Sequence, residues 1–481
     1  MDISENQINT IVEQVLAQIS PSGTSNGSHR PSDVSPSGNQ GIGSFTDCSS
    51  AVKGALKAFN TLGDLGLRKR EEIIQSMRHQ ARQNIEYLSR LAVEETGLGN
   101  VPDKIKKNIL AINQTPGPEI LRCQSFSDDN GLMIMERAPY GVIGSITPCT
   151  NPSETIINNS IGMISGGNSV VFNPHPTAKK TSVETVRILN EAIVSVGGPE
   201  NLITTVSNPT IESAQELMNH PDIRLLVVTG GPAVVKAAMN TGKKVIAGGP
   251  GNPPVIVDDT VNIDHAAKGV VDGASFDNNI ICTCEKEIIA VDSIAGDLKQ
   301  AMKRHGAYEL KGYQIKRVTD MIMLDEGSPG CGGHVKKEFV GQSAQTILKM
   351  ANIDVDDTVR LAIMDVDNDH PLFWTEQLMP IIPLVRVTNV DEAIELGVRV
   401  EQYNRHTAVM YSQRVDKLSK MARLINASIF VKNGPNFAGL GYGGPGYTSF
   451  TIASPTGEGM TTAINFTRER RCSLIDGFRI V

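Results

Sequence analysis

Residues 202–248 read LITTVSNPTIESAQELMNHPDIRLLVVTGGPAVVKAAMNTGKKVIAG and alternate between two local patterns. Short β-branched and apolar runs predict strands, and the segments between them predict helices. The strands are predicted at 202–207, 225–230 and 244–248, and the helices near 210–219 and at 232–240. Strands that alternate with helices along a chain are typical of βαβ units and a mostly parallel sheet. This stretch therefore predicts an α/β fold.

The same alternation continues on both sides of this stretch. Upstream, GVIGSITP (141–148) and SVVFNP (169–174) predict two more strands, and the apolar residues of 182–196 share one helical face. Residues 64–113 are predicted to be helical, and a second α/β segment follows from 253 to about 455.

The composition narrows the class of protein. The chain has 481 residues, 40% hydrophobic and 20% charged, which suffices for a large core and two or three domains. A net charge of −7 gives no electrostatic reason to expect a nucleic acid or an anionic membrane as partner. No apolar run approaches the ~20 residues that cross a bilayer, and the N-terminus lacks a secretory signal. Seven cysteines are too few, and odd in number, for a disulfide framework, so the composition indicates a soluble protein of a reducing compartment.

Residues 1–20 stand apart from this globular pattern. Their apolar side chains fall at helical spacing on one face, and Ser4 with Gln7 resembles a capping box. Residues 21–44 are rich in Ser, Gly and Pro, which predicts a disordered linker. An amphipathic helix on such a linker favours a targeting peptide that docks in a groove. A helix docked on its own oligomer and a frayed terminus are the alternatives.

The strand ends of the predicted sheet are rich in Gly, Pro, Thr and Asn. Parallel sheets bind ligands beyond the carboxyl ends of their strands. Those ends read ITPCTNP (146–152), FNPHPTAKK (172–180), VVTGGP (227–232) and IAGGPGNP (246–253). TGGP at the start of a helix suits a pyrophosphate, whereas the usual GxGxxG fingerprint is missing. Each loop alone could be simple turn chemistry, but four at one sheet edge favour a ligand site.

Two cysteines follow a polar loop in GASFDNNIICTCEKEIIAV (273–291). A cysteine is often only a small core residue, and a metal site lacks a second Cys/His pair at ligand spacing, so no metal is expected. A nucleophilic thiolate needs a polar, partly open setting, which this loop could provide. Core cysteine and catalytic cysteine both remain open at this point.

These stretches carry a family resemblance. From about residue 45 to 481 the sequence resembles the aldehyde dehydrogenase superfamily, and most closely the CoA-acylating aldehyde dehydrogenases of bacterial microcompartments, which process propionaldehyde or acetaldehyde. The matching segments include APYGVIGSITPCTNPSETIINNSIGM, FNPHPTAKK, TGGPAVVKAA, AGGPGNPP, SFDNNIICTCEK, EQLMPIIPLV, RHTAVMYS and FTRERRC. The N-terminal helix and linker resemble the encapsulation peptide of that group.

The resemblance implies an α/β fold with a Rossmann-type NAD-binding domain, an α/β catalytic domain and a small oligomerisation flap. The implied boundaries are 1–20 for the encapsulation helix, 21–44 for the linker, 45–127 and 140–247 for the NAD-binding domain, 248–463 for the catalytic domain, and 128–139 with 464–481 for the flap. A dimer or tetramer is implied by the flap.

The resemblance also assigns catalytic roles. Cys282 is the implied nucleophile, which attacks the aldehyde to give a thiohemiacetal and then an acyl thioester, and Cys284 is the alternative thiol. Asn151, with the backbone N–H of Cys282, is the implied oxyanion hole, although the superfamily asparagine usually stands where Thr150 is. His406 is a candidate acid/base, with a structural histidine as the alternative.

One departure from the superfamily pattern points to the product. Hydrolytic members carry a glutamate in an E-L-G-G segment, whereas this chain reads Ile246-Ala247-Gly248-Gly249. Water without a base attacks a thioester slowly, whereas a thiol is an intrinsically good nucleophile. Coenzyme A is therefore the expected cosubstrate and acyl-CoA the expected product.

The resemblance implies NAD as cofactor, with the preference over NADP argued by analogy. The residues implied to bind it are Thr147, Pro148, Asn173, Pro174, Thr229, Gly230, Gly231, Val234, Gly248 and Glu376.

The sequence thus predicts an enzyme that converts propionaldehyde or acetaldehyde to acyl-CoA in a microcompartment lumen of the bacterial cytoplasm, with shell or core proteins as partners of residues 1–20. A hydrolytic dehydrogenase or an acyl-phosphate reductase of the same fold is one alternative. An inactive shell-associated scaffold is another.

Overall fold

The computed structural model describes residues 41–480, so the predicted helix at 1–20 and most of the predicted linker lie outside the described residues. The helices are α1 (Cys48–Gly63), α2 (Leu67–Gln83), α3 (Ile85–Thr96), α4 (Val101–Gln114), α5 (Pro152–Ser165), α6 (Lys179–Ser195), α7 (Ile211–Asn219), α8 (Pro232–Met239), α9 (Ile263–Ser275), α10 (Asp292–Arg304), α11 (Tyr313–Ile322), α12 (Ala344–Met350), α13 (Val390–Val400) and α14 (Val415–Ile425). The strands are β1 (Ser44–Phe45), β2 (Gln124–Asp128), β3 (Gly131–Pro139), β4 (Val142–Thr147), β5 (Ser169–Pro174), β6 (Ile203–Val206), β7 (Ile223–Thr229), β8 (Lys244–Gly248), β9 (Pro254–Val257), β10 (Glu287–Val291), β11 (Ala307–Leu310), β12 (Met323–Asp325), β13 (His334–Val335), β14 (Leu361–Asp365), β15 (Ile381–Val387), β16 (Thr407–Tyr411), β17 (Ile429–Lys432), β18 (Ile452–Ala453), β19 (Gly459–Met460) and β20 (Thr467–Ile475).

The first sheet has six parallel strands in the order β1-β6-β5-β4-β7-β8. Alternate side chains of β4 face opposite layers, as the period of a strand requires. Ile143 packs with apolar residues of α2, α5 and α6, and Val142 packs with those of α1, α7 and α8. Both faces are therefore covered by helices, as is usual for a parallel sheet. The predicted boundary at 247 falls at the end of β8, and Ser44, which the sequence assigns to the linker, already belongs to β1.

The second sheet has seven parallel strands in the order β11-β14-β15-β10-β9-β16-β17. Val255 of β9 packs with α9 and α10 on one face, and Ile256 packs with α13 and α14 on the other. The predicted α/β fold with parallel sheets is confirmed.

A third, antiparallel sheet is formed by β2, β3 and β20. It begins at Gln124, ahead of the predicted flap start at 128, and its last strand lies within the predicted 464–481 segment. All residues of β2, and all of β20 after Thr467, are exposed.

Helix α5 joins the first sheet to several other parts of the chain. All of its residues are buried, including Ser153, Glu154, Asn158 and Asn159. The Asn158 amide donates to Thr115 Oγ1 at 2.8 Å and accepts from the Phe450 N–H at 2.9 Å. The two asparagines of this buried helix are thus paired with distant segments, whereas Thr155 Oγ1, Ser160 Oγ and Ser165 Oγ have no hydrogen-bond partner among the described residues.

The sequence placed strands β4 to β8 well but did not predict helices α1 and α5. Helix α1 lies before the predicted helical region at 64–113, which therefore begins too late. Its buried residues, Cys48, Ala51, Val52, Ala55, Ala58 and Leu62, do follow helical spacing. They are small, and the Ser, Gly and Asn residues between them weaken the pattern. In the part of the chain that the structure describes, no helix is long and apolar enough to span a bilayer.

Candidate active site

The carboxyl ends of four strands bring most of the predicted cofactor residues together. Thr147 at the end of β4 lies opposite Pro174 at the end of β5. Thr229 at the end of β7 lies opposite Gly248 at the end of β8. Since β4 and β7 are neighbours, these residues share one edge of the sheet. The other predicted cofactor residues lie within or shortly after these strand ends: Pro148, Asn173, Gly230, Gly231 and Val234.

The chemistry of this edge fits a dinucleotide. The Thr147 hydroxyl is buried and has no hydrogen-bond partner, so it is free to contact a ligand. A Cβ added at Gly230 would meet only Val234 Cβ, at 3.9 Å, and a Cβ added at Gly231 would meet nothing within 4 Å. The space in front of these two glycines is therefore open. Gly231 precedes the first turn of α8, where backbone N–H groups favour a phosphate. Asn173 is already engaged, because its side-chain oxygen accepts from Ser213 Oγ at 2.6 Å.

The loop before Cys282 has unusual backbone geometry. Asp277, Asn278 and Asn279 have φ values of 48°, 54° and 63°, which place three consecutive non-glycine residues in the left-handed region. Each such residue costs about 1–3 kcal/mol and persists only when its surroundings hold it. Asn278 Nδ2 donates to the Gly341 carbonyl at 2.8 Å, and Asn279 Nδ2 donates to the Ala274 carbonyl at 2.7 Å.

A buried charge cluster holds the start of this loop. The Asp277 carboxylate contacts Lys107 Nζ at 2.6 Å and Lys104 Nζ at 3.1 Å. Lys107 also contacts Glu154 at 3.3 Å, and Lys104 donates to the Thr150 carbonyl at 3.0 Å. The cluster therefore connects the loop before Cys282 (residues 277–281), helix α4 and the loop that carries Asn151.

The two candidate thiols differ in access. Cys282 is partly exposed, whereas Cys284 is buried, and this difference favours Cys282 as the nucleophile. Burial raises the pKa of the Cys282 thiol to about 12, and the Glu376 carboxylate adds to the increase. The Lys286 ammonium, the amide of Cys282 itself and Lys107 lower the pKa of this thiol. In the free protein the thiol is therefore protonated at neutral pH and needs a base to react.

Gly251 brings Cys282, Glu376 and His406 together. A Cβ added at Gly251 would lie 2.9 Å from the Cys282 carbonyl oxygen and 2.9 Å from His406 Cγ. The Gly251 N–H donates to Glu376 Oε1 at 3.3 Å. Burial raises the pKa of Glu376, and the Lys286 charge and the Gly251 N–H lower it. Only a residue without a side chain fits between these groups.

His406 is a neutral imidazole at this site. Burial, with a contribution from Lys286, lowers the pKa of His406 to about 4. Its Nδ1 shares a hydrogen bond with Thr407 Oγ1 at 2.9 Å, and its buried Nε2 has no partner. A neutral ring with a free nitrogen can accept a proton from a thiol.

A second left-handed turn leads into His406. Gln402, Tyr403 and Arg405 have φ values of 57°, 60° and 54°. The Glu401 carboxylate accepts from the His406 N–H at 2.8 Å, and burial raises its pKa to about 7. Cys282 and His406 thus each follow a strained turn that a buried carboxyl group stabilises.

The structure also describes the two remaining positions that the sequence singled out, Asn151 and Ile246. Asn151 is buried before the first turn of α5, its Nδ2 lies 3.1 Å from Thr150 Oγ1, and its Oδ1 has no partner. Ile246 is fully buried in β8, so no carboxylate occupies the position of the hydrolytic glutamate.

Sequence reasoning missed the charged groups behind these residues, namely Lys104, Lys107, Lys286 and Glu401. A partial signal exists for two of them: Lys104, Lys107 and Ala111 share one helical face, and all three are buried. Lys286 carries no such signal, because a lysine before a strand is usually exposed.

Comparison with known proteins identifies the family of this chain. Residues 21–451 match the model of the aldehyde dehydrogenase family. The chain is 46% identical over its full length to an acetaldehyde dehydrogenase (acetylating) from Bilophila wadsworthia, of which it covers 100%.

Two solved structures are similar over nearly the whole molecule. One is a Rhodopseudomonas palustris propionaldehyde dehydrogenase with bound CoA and an acylated cysteine; the identity is 48% and the TM-score 0.88, with 91% of this chain and 99% of that chain covered. The other is a propionaldehyde dehydrogenase from the Clostridium phytofermentans fucose utilisation bacterial microcompartment; the identity is 44% and the TM-score 0.89, with 92% of this chain and 100% of that chain covered.

Proposed function

The chain belongs to the aldehyde dehydrogenase family, and we propose that within this family it is a CoA-acylating enzyme. It converts propionaldehyde or acetaldehyde, with CoA and NAD, to the acyl-CoA and NADH. One observation carries the proposal: a partly exposed cysteine and a neutral histidine both border Gly251, while the position of the hydrolytic glutamate holds a buried isoleucine. The relatives support it, because one is acetylating and another holds CoA and an acylated cysteine.

Acylation of the enzyme begins at Cys282. His406 Nε2 accepts the thiol proton as the sulfur attacks the aldehyde carbon. The Cys282 N–H and the Asn151 amide stabilise the negative charge that develops on the aldehyde oxygen, each donor contributing about 3–4 kcal/mol when well aimed. NAD, when bound, would supply the acceptor for the hydride that leaves the former aldehyde carbon, and an acyl thioester would then remain on Cys282. We assign Glu376 to the nicotinamide ribose, and the support is its position beside Gly251, whose N–H donates to Glu376 Oε1.

Release of the acyl group uses a second thiol. His406 first releases to solvent the proton that it took from Cys282. The CoA thiol then loses its proton to His406, attacks the thioester carbonyl and expels the Cys282 thiolate, which takes that proton back from His406. Water competes poorly because Ile246 stands at the position of the glutamate that activates water in hydrolytic members. Thioester exchange is nearly isoenergetic, so acyl-CoA retains the energy of the oxidation.

A comparison of two cysteine variants tests this proposal. Cys282→Ala removes the nucleophile and should abolish aldehyde-dependent NADH formation. Cys284→Ala is the matched control: its side chain is buried two positions away, and activity should persist. Products are identified by mass spectrometry with and without CoA. Full activity of Cys282→Ala, or free acid as the main product in the presence of CoA, would contradict the proposal, and no wild-type activity would favour a scaffold.

The assembly and location of the protein form a second part of the proposal. The exposed antiparallel sheet of β2, β3 and β20 is the surface through which copies of the chain form a dimer or tetramer. Residues 1–20 bind shell or core proteins of a microcompartment in the bacterial cytoplasm. The support is the microcompartment origin of a similar structure and the amphipathic pattern of residues 1–20.

A further inference from the structure

Lys286 differs from the other buried lysines of the described chain. Lys104, Lys107 and Lys299 each contact a carboxylate within 4 Å. Lys286 is fully buried and has no such ion pair among residues 41–480. Burial of an ammonium without a counter-charge is expensive, so the fold must compensate it in another way.

All hydrogen bonds of the Lys286 ammonium go to the loop before Cys282 (residues 277–281). Nζ donates to the Asn279 carbonyl at 2.9 Å, to Asn279 Oδ1 and to the Ile281 carbonyl at 3.3 Å. The Ile281 carbonyl also accepts from the Cys284 N–H at 3.0 Å. The peptide between residues 281 and 282 is therefore fixed by two donors on its oxygen.

This fixed peptide has a consequence for the oxyanion hole. In a trans peptide the carbonyl and the N–H point in opposite directions. With the Ile281 oxygen held towards Lys286, the Cys282 N–H points away from Lys286. The same contact that holds the loop thus leaves this N–H available for the aldehyde oxygen.

The charges that surround Lys286 come from every element around the site. Four titratable groups lie in the same segment as Lys286, namely Cys282, Cys284, Glu285 and Glu287. Two more, Glu376 and His406, come from other loops, and the charge of Lys107 also acts on Cys282. Glu285 is occupied by the Asn436 N–H and amide. Burial raises the pKa of Glu285 to about 7 and that of Glu287 well above its ordinary value, so Glu287 favours its neutral form. The group that must become anionic in the reaction is Cys282.

We propose that Lys286 is a positioning residue with two roles: its ammonium is the counter-charge of the Cys282 thiolate, and its hydrogen bond to Ile281 orients the Cys282 N–H for the oxyanion. The proposal deepens the function above and rests on Cys282 as nucleophile. In the thioester exchange the same charge favours departure of the Cys282 thiolate from the acyl group.

The test measures the reactivity of Cys282 apart from turnover. Wild type, Lys286→Met and Lys286→Gln are alkylated with neutral iodoacetamide at pH 8, and the Cys282 peptide is followed by mass spectrometry. Each unit of increase in the thiol pKa lowers the thiolate fraction tenfold, but higher intrinsic nucleophilicity offsets part of it, so the rate falls about threefold per unit. A fall of about threefold or more is expected in both variants. Alkylation of exposed Cys331 is the internal reference.

The matched control is Lys299→Met, which removes a buried ammonium from α10, paired there with Glu309 and Asp365. It should lower the melting temperature but leave Cys282 alkylation unchanged. Lys286→Gln retains an N–H donor, so it should keep more of kcat than Lys286→Met while losing the same thiolate reactivity.

Unchanged Cys282 alkylation in a folded Lys286 variant would overturn the counter-charge role, and equal kcat losses in both variants would overturn the orienting role. Failure of the proposed function has a different signature, which is full turnover by Cys282→Ala. The two failures are therefore distinguishable.

Discussion

Asp277 carries two tasks at the scale of single residues. Its carboxylate is the counter-charge of two buried lysines, and its Oδ1 accepts from the Asn100 N–H at 2.9 Å. It is also the first of the three left-handed residues before the nucleophile. The energy that holds the strained loop is thus supplied by contacts with α4 rather than by the loop itself.

We expect Asp277→Asn to lower the free energy of unfolding by about 3–5 kcal/mol, because buried Lys104 loses its carboxylate partner and buried Lys107 keeps only Glu154. Denaturant unfolding followed by circular dichroism measures this loss. Asp320→Asn is the control, since Asp320 pairs with Lys316 on an exposed face of α11 and its loss should have little effect. Equal stability of the two variants would show that the buried cluster contributes nothing net.

Several site residues could be predicted from the sequence for a physical reason. Thr147 and Thr229 lie at strand ends, which β-branched runs reveal locally, whereas the choice of Cys282 over Cys284 came from the family resemblance. Lys286 and Glu401 could not be predicted, because their importance depends on which distant groups surround them after folding. Burial of a charge is a tertiary property that local patterns do not record.

At the scale of elements, the loop between β8 and β9 connects the two parallel sheets and passes through the site. Gly251 lies in this loop with backbone on one side and an imidazole on the other. The sequence showed the loop to be rich in glycine but not which glycine was constrained. Cys282 and His406 both border this glycine because they precede β10 and β16, the two strands that flank β9 in the second sheet.

We expect Gly251→Ala to lower kcat at least about tenfold, because a Cβ would displace the Cys282 carbonyl or the His406 ring, and small misplacements are costly in catalysis. Steady-state NADH formation measures the change. Gly296→Ala in α10 is the control, since nothing lies within 4 Å of its added Cβ; alanine there should keep kcat and stabilise the helix by about 0.5–1 kcal/mol. Normal turnover by Gly251→Ala would mean that the site tolerates the displacement.

At the scale of the whole molecule, catalysis and location are assigned to different parts of the chain. The proposed chemistry lies within residues 147–406 of the described fold, whereas the proposed targeting signal is residues 1–20, outside the described residues. A protein divided in this way should lose one property without the other.

Deletion of residues 1–20 should therefore leave kcat within about twofold of wild type and abolish co-purification with microcompartment shells. The control is a chain in which residues 1–20 keep their composition but are scrambled, which removes the apolar face and should behave like the deletion. Shell co-purification by the scrambled chain would count against recognition of a helix face. A large fall in kcat would instead place these residues in the catalytic unit.

Helix α5 sets a limit on how this enzyme can change. Its buried asparagines bond to distant segments through Thr115, Ser145, Phe450 and Thr451, so replacement of either asparagine leaves an unpaired group inside the protein. Directed evolution towards longer aldehydes should consequently accumulate changes in the surrounding loops and almost none in this helix. Deep mutational scanning would then show α5 as the stretch with the fewest accepted replacements.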